Sequence, residues 1–329
     1  MNHISPPRSP WLVSPLFDTI FIANWCWPLL FLPGLATATD TALDFWQIYF
    51  LTLPHRWITP LLVLVDPQRR GHKSWLFILV AVLLSLPIVI TFVFIGEFIC
   101  LLMIDYVWNS WHFASQHSGI LRMYSLRTGH GYYWLERWGV RLFVTYGALR
   151  AAGWLTGWLE VEPSYMSVLS TLDALALLLA VLLLLSSLKP RGECLGKNLY
   201  LSSFCLIYIA LIISLNLQLA ACVVVLASAA SISHALEYLA IVSIYIKRRP
   251  KGPNEVLLST IARYWHLVLY AFIIFLGGIG FWLSQIDLTY FAYWQGLNLW
   301  IAYLHYAYDG MIWKLRKPQT VQALGVANN

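Results

Sequence analysis

Apolar residues in this chain form long runs that are separated by short polar segments. A helix needs roughly 20 mostly apolar residues to cross a bilayer, and each run is about that long. The pattern therefore predicts ten membrane-spanning helices, at 11–34, 42–65, 74–95, 97–121, 135–158, 165–188, 199–215, 218–246, 257–284 and 289–313.

The composition agrees with this pattern, since 60% of the residues are hydrophobic and 11% are charged. Soluble domains carry about a quarter charged residues, so most side chains of this chain are expected to avoid water. We predict an all-α, polytopic transmembrane bundle that forms a single integral membrane domain over residues 1–329. The net charge of +6 does not indicate nucleic-acid binding, because Lys and Arg lie in short loops between apolar runs.

The loop charges predict an orientation, because Lys and Arg are enriched in short cytoplasmic loops. Basic residues follow every even-numbered span: Arg69, Arg70, Lys73, Arg122, Arg127, Arg137, Lys189, Arg191, Lys197, Lys247, Arg248, Arg249, Lys251, Lys314, Arg316 and Lys317. The intervening loops hold acidic residues: Asp40, Glu97, Glu160, Glu162 and Asp287. We expect a multi-pass protein of the cell membrane with both termini in the cytoplasm.

Histidines are the most informative polar residues. His3, His72, His130 and His266 lie in the tail, in loops or near a span end, where ordinary surface roles are expected. Four others, His55, His112, His234 and His305, lie about 13 to 16 residues from the outer ends of their spans, at one depth to within about one helical turn. Polar residues at that depth usually face a functional interior, so these four are the predicted metal ligands.

Other polar residues accompany these histidines at spacings of three, four or seven, which keep two residues on one helix face. Asp309 follows His305 by four residues and Glu237 follows His234 by three. Gln116 and Asp105 stand in the same relation to His112. A ligating imidazole needs an acceptor on its second nitrogen, and these residues are candidates for that role.

His117 is predicted to act differently from the four ligands. Five residues at about 100° each place it roughly 140° from His112 around the helix, so one metal would not easily bind both. We expect His117 to face the substrate or to support the ligands. Arg56, beside His55, needs a buried acidic partner, and Asp105 or Glu237 is expected to be that residue.

Imidazole ligands suit iron, zinc, copper and nickel, and two histidines can also hold a heme. The sequence contains no phosphate-binding loop, dinucleotide fingerprint or nucleophile elbow. It also lacks the His-x-x-x-His and His-His pairs expected of a membrane desaturase with two irons.

The order of the histidines resembles that in the membrane-embedded bacterial β-carotene dioxygenases, the Brp/Blh family. The resemblance rests on short motifs scattered over residues 53–316: Leu53-Pro54-His55, His112-Phe113 with His117, His234 before Lys247, and His305 with Asp309 and Arg316. The chain departs from the family pattern after His55, where Arg56 follows, and at Tyr238, where the family has a second histidine.

The resemblance implies non-heme ferrous iron held by His55, His112, His234 and His305, with His117, Glu237 and Asp309 as catalytic residues. We therefore expect a membrane dioxygenase that acts on an apolar, lipid-soluble substrate, such as an isoprenoid or carotenoid, entering from the membrane lipids. Two alternatives stay open from the residues alone. One is a heme-binding electron-transfer protein, and the other is a transporter or non-catalytic membrane factor that uses the histidines as a proton or ion pathway.

Overall fold

A computed structural model of the chain describes residues 9–32, 45–71, 73–96, 98–155, 163–187, 194–249, 256–286 and 288–326. Within these ranges the regular structure is helical and contains no strand, which confirms the all-α prediction. The long helices there are α1 (Phe45–Val65), α2 (Ser74–Phe94), α3 (Ile99–Thr128), α4 (Val140–Leu155), α5 (Pro163–Ser187), α6 (Leu195–Asn216), α7 (Ala220–Arg248), α8 (Trp265–Ile286) and α9 (Leu288–Ile312).

Shorter helical segments connect or flank the long helices. They are Pro15–Phe17, the π-helical turns Asp18–Ile22 and Leu135–Gly139, the 3-10 turn Trp27–Phe31, and the short helices Pro67–Arg70, Val256–Arg263 and Pro318–Ala323. Several residues named above lie outside the described residues: His3, Asp40, His72, Glu97, Glu160, Glu162, Lys189, Arg191, Lys251 and Asp287.

Five helices of the described chain are long and apolar enough to cross a membrane: α2, Met166–Ser187 within α5, α6, α7 and α8. This finding indicates a membrane protein, but five helices are only half the number of spans that the sequence predicts. The remaining long helices, α1, α3, α4 and α9, either carry more polar residues or are shorter.

The first predicted span, 11–34, was wrong as a single helix. Residues 15–31 form three short helical segments, because the Asp18 side chain binds backbone groups of the preceding residues. Its carboxylate accepts hydrogen bonds from the backbone N–H groups of Leu12 and Val13 at 2.6 and 3.0 Å and from the Tyr124 hydroxyl at 2.9 Å. Asn24 then adopts a left-handed conformation (φ 52°) and ends the π-turn region.

Contacts divide the chain into two compact units. The first unit comprises Met1–Leu43, Ser110–Ile244 and Val321–Asn329, and the second comprises Asp44–Asn109 and Tyr245–Thr320. The single domain expected from the sequence stays a prediction.

The first unit contains a polar contact among three of its long helices. In it α4, α5 and α6 pack against one another. Asp173 of α5 accepts hydrogen bonds from the Tyr146 hydroxyl of α4 at 2.6 Å and the Asn216 amide of α6 at 2.9 Å. Arg150 of α4 lies 3.5 Å from the same carboxylate, which supplies the partner that a buried arginine requires.

In the second unit, α9 packs against α1, α2 and α8. Aromatic side chains of α9 fix its position by donating to backbone carbonyls, with Trp300 Nε1 bonded to Ala81 O at 3.0 Å and the Tyr308 hydroxyl bonded to Phe77 O at 2.7 Å. Trp57 of α1 also donates to the Asn298 side chain at 2.8 Å. These bonds set the relative position of α1 and α9, which carry two of the predicted ligands.

Candidate functional site

The second unit brings two predicted ligands into contact. His55 of α1 and His305 of α9 are 2% and 0% exposed. Their ring centroids lie 4.9 Å apart, with the ring planes at 89° to each other. Since α1 and α9 pack along each other, this contact is part of the helix interface.

A threonine hydroxyl connects His305 to its predicted carboxylate. Thr59 Oγ1 lies 2.7 Å from His305 Nδ1 and donates to Asp309 Oδ1 at 3.2 Å. The direct separation from His305 Nδ1 to Asp309 Oδ1 is 4.0 Å, which is too long for a hydrogen bond. Since an ionised carboxylate can only accept, the hydroxyl proton points to Asp309. The oxygen then accepts from His305 Nδ1–H, which leaves Nε2 as the basic nitrogen of His305.

Arg56 lies in the same unit and interacts electrostatically with Tyr306 and Asp105. The Tyr306 hydroxyl donates to Asp105 Oδ1 at 3.0 Å. Of the two partners expected for Arg56, the second unit thus supplies Asp105. An acidic residue thus lies within electrostatic range of the guanidinium next to His55.

The first unit contains a second histidine pair. His112 of α3 and His234 of α7 are 6% and 0% exposed. Their ring centroids are 5.0 Å apart, with the planes at 83°. Phe113 stacks on the His234 ring at 3.9 Å and 16°, so the imidazole has little freedom to rotate.

Glu237, which was expected to support His234, makes its described contacts elsewhere in the first unit. Its Oε2 accepts from Gln116 Nε2 at 3.3 Å and from the Tyr200 hydroxyl at 3.2 Å. His117 Nδ1 lies 2.9 Å from that hydroxyl and 3.4 Å from Glu237 Oε2. Gln116 also donates to the backbone carbonyl of His234 at 2.9 Å.

The ring separations bear on what each pair can bind. With a metal–nitrogen bond of about 2.1 Å, an imidazole centroid lies roughly 3.2 Å from the metal. Two such rings are then separated by about 4.5 Å at a right angle, about 5.2 Å at a tetrahedral angle and about 6.4 Å on opposite sides. The observed 4.9 and 5.0 Å fit neighbouring ligands of one metal. They leave no room for a heme between the members of either pair.

The structure therefore brings His55 together with His305, and His112 together with His234, each within its own unit. His117 is held separately by Tyr200, and its ring stacks on Phe204 at 4.8 Å. Sequence reasoning missed Thr59 and Tyr200. Thr59 follows His55 by four residues and thus shares its helix face, a spacing that could have identified it. Nothing in the sequence points to Tyr200.

Comparison of the chain with protein-family models, curated proteins and solved structures gave no match.

Proposed function

We propose that the chain is a non-heme iron-dependent membrane oxygenase, with His55, His112, His234 and His305 as its iron ligands. The observation that carries the proposal is the presence of two buried histidine pairs, each with the ring separation of neighbouring ligands. Neutral imidazoles suit divalent iron, whereas protonated ones would bury several positive charges in an apolar environment. The resemblance to the Brp/Blh dioxygenases supports iron over the other metals that imidazole binds.

Ferrous iron, when bound, would supply the activation of dioxygen. The protein's own contribution is to hold the imidazoles in one tautomer and one orientation. Thr59 and Asp309 do so for His305, because Nδ1–H is bonded to the threonine hydroxyl. Phe113 restricts the orientation of His234 by stacking on its ring.

His117 and Glu237 form the proposed proton-handling part of the site. The Tyr200 hydroxyl donates to Glu237 and accepts from His117 Nδ1–H, which leaves His117 Nε2 as the basic nitrogen. Nε2 can therefore accept a proton from substrate, while Glu237 and Tyr200 stabilise the imidazolium that results.

The proposed substrate is an apolar, lipid-soluble molecule, such as an isoprenoid or carotenoid, that enters from the bilayer. We further propose that α1, α3, α4 and α9 cross the membrane although they fall short in length or apolar content. Three of them, α1, α3 and α9, carry His55, His112 and His305, and functional polar residues lower apolar content. On the basis of the basic loops, both termini are placed in the cytoplasm of a cell-membrane protein. With α1 to α9 crossing, this orientation requires the irregular segment 9–32 to make a tenth crossing.

Iron quantification on purified protein tests the proposal. We expect bound iron in the wild type, and a loss of iron in each of the variants His55→Ala, His112→Ala, His234→Ala and His305→Ala. The His117→Ala variant should retain iron and lose activity. His130→Ala, in a loop, is the matched control and should change neither.

Each contrary outcome identifies a different error. A strong Soret band in the optical spectrum would instead support the heme-binding alternative. A folded wild type without metal would support the transporter or non-catalytic alternative. Retention of iron by both His55→Ala and His305→Ala, with loss in the other two variants, would limit the metal site to the first unit.

A further inference from the structure

An aromatic–arginine patch lies on the surface of the first unit and takes no part in the histidine contacts. It consists of Trp111, Tyr133, Arg137, Trp138 and Arg141. The three aromatic side chains are 40–44% exposed. Trp111 lies in α3, Arg137 and Trp138 lie in the turn Leu135–Gly139, Tyr133 precedes that turn by two residues, and Arg141 lies at the start of α4.

The two arginines of the patch are held against its rings. The Arg141 guanidinium lies 5.4 Å from the ring centroids of both Trp111 and Trp138. The Arg137 guanidinium lies 5.5 Å from the rings of Tyr133 and Trp138, and it donates to the Tyr133 hydroxyl. Cation–π contacts of this length orient a guanidinium but leave its net charge in place.

This charge is not neutralised by the part of the chain that the structure describes. Among those residues no carboxylate lies within ion-pair distance of Arg137 or Arg141, and the two guanidiniums repel each other. Nearby Arg122 differs, since it is paired with the buried Glu136 at 2.6 Å. An arginine on the surface of a membrane helix bundle requires a counter-ion from its surroundings.

We propose that the aromatic–arginine patch binds the phosphate of an anionic phospholipid headgroup. Guanidinium groups present paired N–H donors that match phosphate oxygens. Exposed tryptophan and tyrosine lie at the headgroup level of membrane proteins, where an anionic phosphate is available to both arginines. The loop preceding Tyr133 is on the side that the basic residues assign to the cytoplasm, where anionic lipids attract such charges. The binding site is independent of the histidines and of any metal.

Native mass spectrometry of the full chain in detergent, titrated with phosphatidylglycerol or phosphatidylcholine, tests this proposal. We expect the wild type to prefer phosphatidylglycerol. Each arginine near the surface contributes about fivefold to such a preference, so the Arg137→Gln/Arg141→Gln variant should lose roughly 25-fold. Arg263→Gln is the matched control, because Arg263 also lies over an exposed ring, that of Tyr264, at 5.4 Å. This control should keep the wild-type preference.

A measurement on the unaltered protein guards against a variant that fails to fold. Raising the salt concentration should reduce the wild-type preference for phosphatidylglycerol, because exposed charges are screened. Equal lipid binding by the double variant and the wild type would overturn the proposal, as would an equal loss in Arg263→Gln. A salt-independent preference, or displacement of the lipid by millimolar inorganic phosphate, would also overturn it.

Discussion

Replacing Thr59 with valine removes one hydroxyl and keeps the branched shape of the side chain. That hydroxyl lies 2.7 Å from His305 Nδ1 and 3.2 Å from Asp309 Oδ1. Valine offers neither an acceptor for the imidazole N–H nor a donor for the carboxylate. His305 would therefore lose the contact that selects its tautomer and orients Nε2.

The size of the effect follows from burial. His305 is 0% exposed and Thr59 is 0% exposed, so water does not readily replace the lost hydroxyl. Loss of a hydrogen-bond partner at a buried polar group costs about 1–3 kcal/mol. For a group that orients a metal ligand, the expected loss is about 10–100-fold in metal affinity.

The assay is competition between the purified protein and a chelator for ferrous iron. Thr59→Val should release iron at a chelator concentration about 10–100-fold lower than the wild type requires. Thr59→Ser, which retains a hydroxyl, should bind iron with close to the wild-type affinity. Thr145→Val is the matched control, because the Thr145 hydroxyl of α4 has no hydrogen-bond partner among the described residues. Unchanged iron affinity in Thr59→Val would refute the reasoning, and so would an equal loss in Thr145→Val.

Two further predictions concern the first unit and the topology. Tyr200→Phe removes the hydroxyl between His117 and Glu237. It should lower the free energy of unfolding by about 1–3 kcal/mol and reduce activity while iron is retained. Activity equal to that of the wild type would exclude Tyr200 from proton handling. The topology is tested in a variant that lacks the five native cysteines. In it, Lys73→Cys should react with a membrane-impermeant maleimide only from the cytoplasmic side, and Leu219→Cys only from the opposite side. Labelling of both positions from one side would contradict the proposed orientation.

Helix positions could be read from the sequence because the length of an apolar run is a local property. The predicted span 74–95 corresponds to Ser74–Phe94, and 289–313 corresponds to Leu288–Ile312. The segment 11–34 failed for a non-local reason. Asp18 binds backbone N–H groups near the start of the segment and the hydroxyl of Tyr124, more than 100 residues away, and no local pattern shows that contact.

The histidines were also detectable, because a polar residue in an apolar run carries a large desolvation cost and requires a reason. Their pairing was not detectable, since it depends on which helices pack together. The spacing of four residues between His305 and Asp309 predicted a direct contact. The structure places Thr59 of another helix between them. Tyr200 depends entirely on packing within the first unit.

A shared chemical arrangement occurs in both units and has a physical rationale. In one, Thr59 stands between His305 and Asp309; in the other, Tyr200 stands between His117 and Glu237. A carboxylate in direct contact with an imidazole favours the protonated ring, which can neither bind a metal nor accept a proton. An intervening hydroxyl still fixes the tautomer, because it donates to the carboxylate and accepts from Nδ1–H. The carboxylate oxygen stays 4.0 Å from Nδ1 at His305 and 3.4 Å from Nδ1 at His117. In both cases Nδ1 is occupied by the hydroxyl and Nε2 is left available, the arrangement that metal binding at His305 and proton transfer at His117 require.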